Sequence, residues 1–286
     1  MTTKSDAPTA TRRIGIIAPG RRLEEEWAVK ATSLARQTFG ASAPELLFHP
    51  QCLESHGHFA GPDEVRLEAL VEMANDPAID AIWIARGGYG ACRIAEQAID
   101  RFGLAARKKT WLGYSDAGFL LGGLYARGFR HVAHGPMVAD ITRIGGDKAL
   151  RRALNWLNSG DPSATDPAMQ SGTAYLAFNL AILSEMLGTP LEPDFTGHVL
   201  MIEEVSEHLY AIDRALFHIT SSPNVRRASG IMLGRVSDIP ENDIPFGEEA
   251  EDMVKYWCAR AGIPYLGRAD IGHDPDNRIV PFGLKL

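Results

Sequence analysis

The sequence predicts an α/β protein built on a largely parallel, doubly wound sheet. Two observations carry that reading. Short apolar runs alternate with amphipathic stretches along the first half of the chain, which is the pattern of strands joined by crossover helices. The segments richest in chemistry, Arg86-Gly87-Gly88-Tyr89-Gly90 and Gly113-Tyr114-Ser115-Asp116-Ala117, each follow such a run directly. In sheets of this kind ligands bind beyond the carboxyl ends of the strands.

The elements follow in order. Residues 14–18 read as a buried strand closed by the Pro19-Gly20 turn, and residues 46–48 as a second strand. Residues 64–74 look helical, with Val65, Leu67, Leu70, Val71 and Met73 on or near one side. Residues 79–85 form the clearest strand, interrupted only by Asp80, and strands at 111–114 and 131–133 follow. A Ser-, Pro- and Asp-rich stretch at 158–167 has the composition of a linker. Beyond it a second unit is expected from about Ala174. It has a helix at 178–187, a strand at 199–202 running into Glu203-Glu204, a helix at 211–219, a strand near 231–233 and a helix at 248–260. The expected division is a disordered tail at 1–13, an α/β domain at 14–157, a linker at 158–173 and a second domain at 174–286.

Composition narrows the function. The chain has 286 residues, 45% of them hydrophobic, and a formal net charge of −7. That charge argues against a nucleic-acid partner, and no basic cluster offsets it. The three cysteines, Cys52, Cys92 and Cys258, are far apart with no CxxC spacing. They fit reduced thiols in a cytoplasmic protein better than a disulfide framework or a zinc site. No apolar segment is long enough to cross a membrane. His56 and His58 have no carboxylate or third-ligand companion, so no metal is expected there.

Ser115 occupies a strand-to-helix turn. There a hydroxyl points outward beside the first, unpaired amides of a helix, the positive end of its dipole. Ser-Asp before an apolar helix is also ordinary capping chemistry. A serine nucleophile needs a base. Gly272-His273 follows a short apolar run and is expected to set an imidazole at a strand end. Glu203 and Glu204 end a strand, where one carboxylate can orient that histidine; alternation along residues 199–202 does not choose between them. The 86–90 loop fails as a dinucleotide fingerprint because Arg93 stands where a glycine is required. An oxyanion or substrate-carboxylate loop facing Ser115 is the better reading. Together these parts make up an acyl-transfer site.

Arg86-Gly87-Gly88-Tyr89-Gly90, Gly113-Tyr114-Ser115-Asp116, Ile202-Glu203-Glu204 with Tyr210-x-Ile212-Asp213-Arg214, and Gly272-His273 with Pro281-Phe282-Gly283 resemble the LD-carboxypeptidases, also called muramoyltetrapeptide carboxypeptidases. The resemblance runs from about Ile14 to about Gly283. It implies a flavodoxin-like N-terminal domain with a smaller β-rich C-terminal domain. It also implies a Ser115–His273–Glu203 triad with Glu204 as the fallback acid, and an oxyanion hole from the Gly88 and Asp116 amides. The implied protein is a cytoplasmic homodimer that needs no cofactor and removes terminal D-alanine from murein tetrapeptide. Other readings are a microcin-C-type self-immunity peptidase of the same family, an ordinary α/β-hydrolase and a non-catalytic wall-peptide sensor. Two departures stand out. Pro19 is followed by Gly20 where the family has Pro-Ser, and Ala177-Phe178 precede Asn179-Leu180 where the family has two glycines.

Overall fold

β1 (Arg13–Ile17), β2 (Glu45–Phe48), β3 (Ala81–Ile84), β4 (Thr110–Gly113) and β5 (Val132–His134) run parallel in the order β2-β1-β3-β4-β5. They belong to a computed structural model that describes residues 11–284. Most of the expected N-terminal tail therefore lies outside the described residues, as do the last two positions.

The side-chain period of two sorts this sheet into two faces. Ile14, Ile16, Trp83 and Leu112 pack with α1 (Glu25–Phe39) and α6 (Gly146–Ser159). Ile17, Ile82, Ile84 and Trp111 pack with α2 (Asp63–Asn75), α3 (Ala95–Asp100) and α5 (Gly118–Ala126) on the other face. A short α4 (Leu104–Lys108) leads into β4. Strands covered on both sides must be apolar throughout, which explains the continuous runs in the sequence. The strand order reverses between β1 and β3, so their carboxyl ends open a crevice.

The second sheet is smaller. β6 (Ala174–Asn179), β7 (His198–Val205), β8 (Gly230–Ser237) and β9 (Tyr265–Arg268) are parallel neighbours, with α7 (Leu180–Met186), α8 (Leu209–Ser221) and α9 (Ala250–Ala261) between them in sequence. The chain end ties the two sheets together. β10 (Val280–Pro281) pairs antiparallel with β5, and β11 (Gly283–Leu284) pairs antiparallel with β6.

α5 is buried from Gly118 to Leu124. A helix apolar all round needs cover on every side, and here one continuous core runs from Ile84 and Trp111 through α5 to Phe178, Leu200 and Val254. Phe178 is a core residue with its ring 5.3 Å from that of Phe282.

One local expectation differs from the structure. The helix expected from Phe178 starts at Leu180, because Asn179 caps it: Asn179 Oδ1 accepts the Ile182 N–H at 3.1 Å. Residues 174–179 are strand instead. Within residues 158–173, which join the two sheets, Asp166 is buried and its carboxylate accepts the Asp270 N–H at 2.6 Å.

Candidate active site

Four loops at the carboxyl ends of the first sheet converge with one loop from the second. Gly20-Arg21 follow β1, residues 86–90 follow β3, Ser115 follows β4 and residues 136–143 follow β5.

The chain leaves β4 in extended conformation at Tyr114 and then bends sharply. Ser115 has φ 59°, in the left-handed region, and opens a 3-10 turn (Ser115–Ala117) that runs straight into α5. A non-glycine residue there costs on the order of 1–2 kcal/mol. Ser115 does not recover that cost by capping the helix: among the described residues its Oγ makes no hydrogen bond, and neither helical segment has a side-chain cap. The bend presents the hydroxyl to the cavity. Gly87 makes room for it. A Cβ on Gly87 would stand 2.9 Å from Ser115 Oγ and 3.0 Å from its Cβ, so only glycine lets the 86–88 loop lie against the serine.

His273 is not at a strand end. It sits in a bend beyond β9, five residues past Arg268. The Arg235 N–H donates to Ile271 O at 2.8 Å, and the Gly272 N–H donates to Asn277 Oδ1 at 3.2 Å, so the loop is pinned on both sides. Gly234 in β8 allows the approach. A Cβ there would lie 2.7 Å from Ile271 O and 3.0 Å from Glu203 Cβ.

Glu203 Oε2 lies 2.7 Å from His273 Nδ1, and both side chains are buried. That bond leaves Nε2 as the free ring nitrogen. Burial alone would lower the His273 pKa, but the Glu203 charge and hydrogen bond outweigh it and hold the imidazole above its ordinary value. His273 also packs on Tyr114, with ring centroids 4.7 Å apart. Behind them His134 is fully buried, and desolvation pushes its pKa down to about 4, which keeps that ring neutral.

Glu204 goes elsewhere. It faces α7, accepting from Asn179 Nδ2 at 2.7 Å, Ala181 N–H at 2.8 Å and Val205 N–H at 2.8 Å. Burial pushes its pKa up to about 7.

Ser115 and His273 line one cavity of about 350 Å³, together with Trp27, Arg86, Gly88, Tyr114, Met137, Asp140 and Arg143. Gly88 has φ 110°. Asp116 is buried, its Oδ2 accepts the Ala91 N–H at 2.9 Å, and desolvation pushes its carboxyl up to about 6.

Sequence reasoning named Tyr114 only within a motif and passed over Asp140 and Arg143. Tyr114 donates its hydroxyl to Asp140 Oδ1 at 2.8 Å, and Asp140 also accepts from Arg143 Nε at 2.9 Å and the Met137 N–H at 2.8 Å. A lone carboxylate soon after the β5 run was the available signal. Among the described residues no group of three or more His, Cys, Asp or Glu gathers as for a metal.

Known proteins sharpen this picture. Residues 14–135 match the LD-carboxypeptidase N-terminal domain, and residues 175–286 match the LD-carboxypeptidase C-terminal domain. The chain is 32% identical over 250 residues to the "Probable murein peptide carboxypeptidase" of Bacillus subtilis (strain 168), covering 80% of this chain and 75% of the relative. It is 25% identical over 292 residues to the murein tetrapeptide carboxypeptidase of Pseudomonas aeruginosa, covering 95% and 91%. The crystal structure of a muramoyltetrapeptide carboxypeptidase from Oxalobacter formigenes superposes with a TM-score of 0.79 at 25% identity, covering 95% of this chain and 92% of that one. The wild-type apo structure of the microcin C7 self-immunity protein MccF shares the fold, with a TM-score of 0.77 at 16% identity and coverage of 96% and 92%. The chain, matched over both of its halves, belongs to the LD-carboxypeptidase family.

Proposed function

We propose that the chain is a serine-type LD-carboxypeptidase that releases terminal D-alanine from murein tetrapeptide through an acyl-enzyme. The observation that carries this reading is that His273, bonded to Glu203, lines the same cavity as the strained, unbonded hydroxyl of Ser115.

His273 Nε2 takes the Ser115 proton as Oγ attacks the carbonyl carbon of the diamino acid. Glu203 holds the ring by Nδ1, so the tautomer with Nε2 free is the one presented. The imidazolium that forms is favoured by the same carboxylate, whose second oxygen, Oε1, is buried without a partner. The tetrahedral oxyanion is received by the Gly88 and Asp116 amides. When the intermediate collapses, the C–N bond breaks and the imidazolium gives its proton to the departing D-alanine amine. Water then attacks the ester by the reverse proton path, freeing tripeptide and Ser115. A site assembled from two sheets fits a peptide laid across their junction. We further propose that the protein works in the cytoplasm as a homodimer. Among the described residues no helix is long and apolar enough to cross a membrane.

The test is D-alanine release from purified murein tetrapeptide. The wild type should release it, and Ser115→Ala should slow release by several orders of magnitude. Hydrolysis of an aminoacyl-nucleotide conjugate without D-alanine release would move the assignment to the self-immunity branch of the family. Reaction with neither substrate would favour a wall-peptide sensor.

A further inference from the structure

The leaving residue of a carboxypeptidase substrate carries a free carboxylate three bonds from the attacked carbon. Its receptor must therefore stand within about one residue's length of the nucleophile, roughly 4 Å plus a hydrogen bond. Arg86 is the candidate. It immediately precedes Gly87, which packs directly on Ser115 Oγ, and it lines the same cavity.

Its surroundings leave it short of a partner. Arg86 Nη1 donates to Arg22 O at 3.1 Å, and the guanidinium lies 5.3 Å from the Trp27 ring centroid, which fixes its plane. Nε is buried with no acceptor. Among the described residues no carboxylate forms an ion pair with it. Glu24, the acid that acts on it electrostatically, is bonded to Arg22 at 2.7 Å. The other cation nearby is Arg21, whose stem covers Gly88. Desolvation, reinforced by the Arg21 charge, lowers the Arg86 pKa, as expected of a guanidinium held without its counter-ion. The second cavity arginine differs. Arg143 is neutralised by Asp140 at 2.9 Å. In a chain of net charge −7, two neighbouring arginines that make no ion pair among the described residues, one of them lining the cavity of Ser115, suit an anionic ligand.

We infer that Arg86, bedded on Trp27 and backed by Arg21, binds the α-carboxylate of the residue to be released, and so limits cleavage to the last peptide bond. This rests on the proposed carboxypeptidase activity and identifies its specificity-determining residue. A planar guanidinium can take a carboxylate by two parallel N–H donors, which a lysine cannot reproduce.

The test separates binding from chemistry. Tetrapeptide ending in D-alanine, as free acid or as C-terminal amide, is titrated calorimetrically into Ser115→Ala protein. The free acid should bind roughly tenfold to a hundredfold more tightly, the range for hydrogen bonds to charged groups. In Ser115→Ala/Arg86→Met the two peptides should bind alike. Arg86→Lys should keep part of the preference, and it decides the matter if Arg86→Met does not fold. A preference that survives in Ser115→Ala/Arg86→Met, or that is undiminished in Arg86→Lys, or that is absent in Ser115→Ala itself, overturns the inference. Release of D-alanine by wild-type enzyme is scored separately. Its absence would sink the proposed activity, whereas activity with an Arg86-independent preference would sink only the role of Arg86.

Discussion

Glu203 and Glu204 are consecutive on β7 yet serve opposite sides of their sheet: one is bonded to His273 at 2.7 Å, the other to Asn179 at 2.7 Å. The two glutamines should therefore behave differently. Glu203→Gln should lower kcat by about 10³–10⁴-fold, the scale for losing the orienting acid of a triad, with little change in melting temperature. Glu204→Gln puts an amide where three N–H donors converge, so it should cost about 1–3 kcal/mol of stability with kcat largely retained. Steady-state kinetics and urea denaturation on both variants check this.

The pH profile reports on His273. Glu203 raises its pKa against the lowering effect of burial, and the general base must be neutral. The acid limb of kcat/KM should therefore have its midpoint above the ordinary histidine value, with activity lost as pH falls through it. In Glu203→Gln that midpoint should move down. A limb that stays in place would detach the pair from catalysis.

Asp116 gives stability a slope. Desolvation raises its carboxyl to about 6, opposed by N–H groups of Ala91 and Gly90 and by the Arg66 charge. An acid whose pKa is higher folded than unfolded binds more protons when folded. Its contribution to stability therefore falls as pH rises from about 4 to about 6 and is level above that. Asp116→Asn keeps an oxygen for the Ala91 N–H and removes the slope. Relative to wild type it should gain on the order of 2–3 kcal/mol between pH 4 and pH 7, measured by denaturant unfolding across that range.

Gly87→Ala tests the close approach to Ser115. The new methyl would sit 2.9 Å from Oγ and 3.4 Å from Met137 Cε. The serine must shift, and a displacement near 1 Å costs roughly 10² in rate. The expected result is a loss of kcat near that size with the fold intact by circular dichroism.

The first sheet was legible because it is covered on both faces. Ile14, Ile16 and Ile17 are all buried, as are Ile82, Trp83 and Ile84, so their runs stand out from polar surroundings. β9, with Gly267 inside it, and β10, which ends in Pro281, carry no such run and are held by neighbours instead. α7 was placed two residues early because capping by Asn179, not hydrophobicity, sets its start. Glu203 and Glu204 could not be ranked from alternation alone. Which face meets the histidine depends on Gly234 admitting the 269–273 loop, and that contact is long-range. The Tyr114–Asp140–Arg143 cluster left only the faint signal of a carboxylate after the β5 run, since each residue is ordinary until β4 and β5 lie side by side.

The most direct measurement is peptide mapping by mass spectrometry after rapid quenching of enzyme mixed with murein tetrapeptide. The predicted result is a tripeptidyl ester on the peptide that contains Ser115, absent from Ser115→Ala, together with stoichiometric free D-alanine. Steady D-alanine release with the acyl group on another residue, or with Ser115→Ala as fast as wild type, would contradict the account.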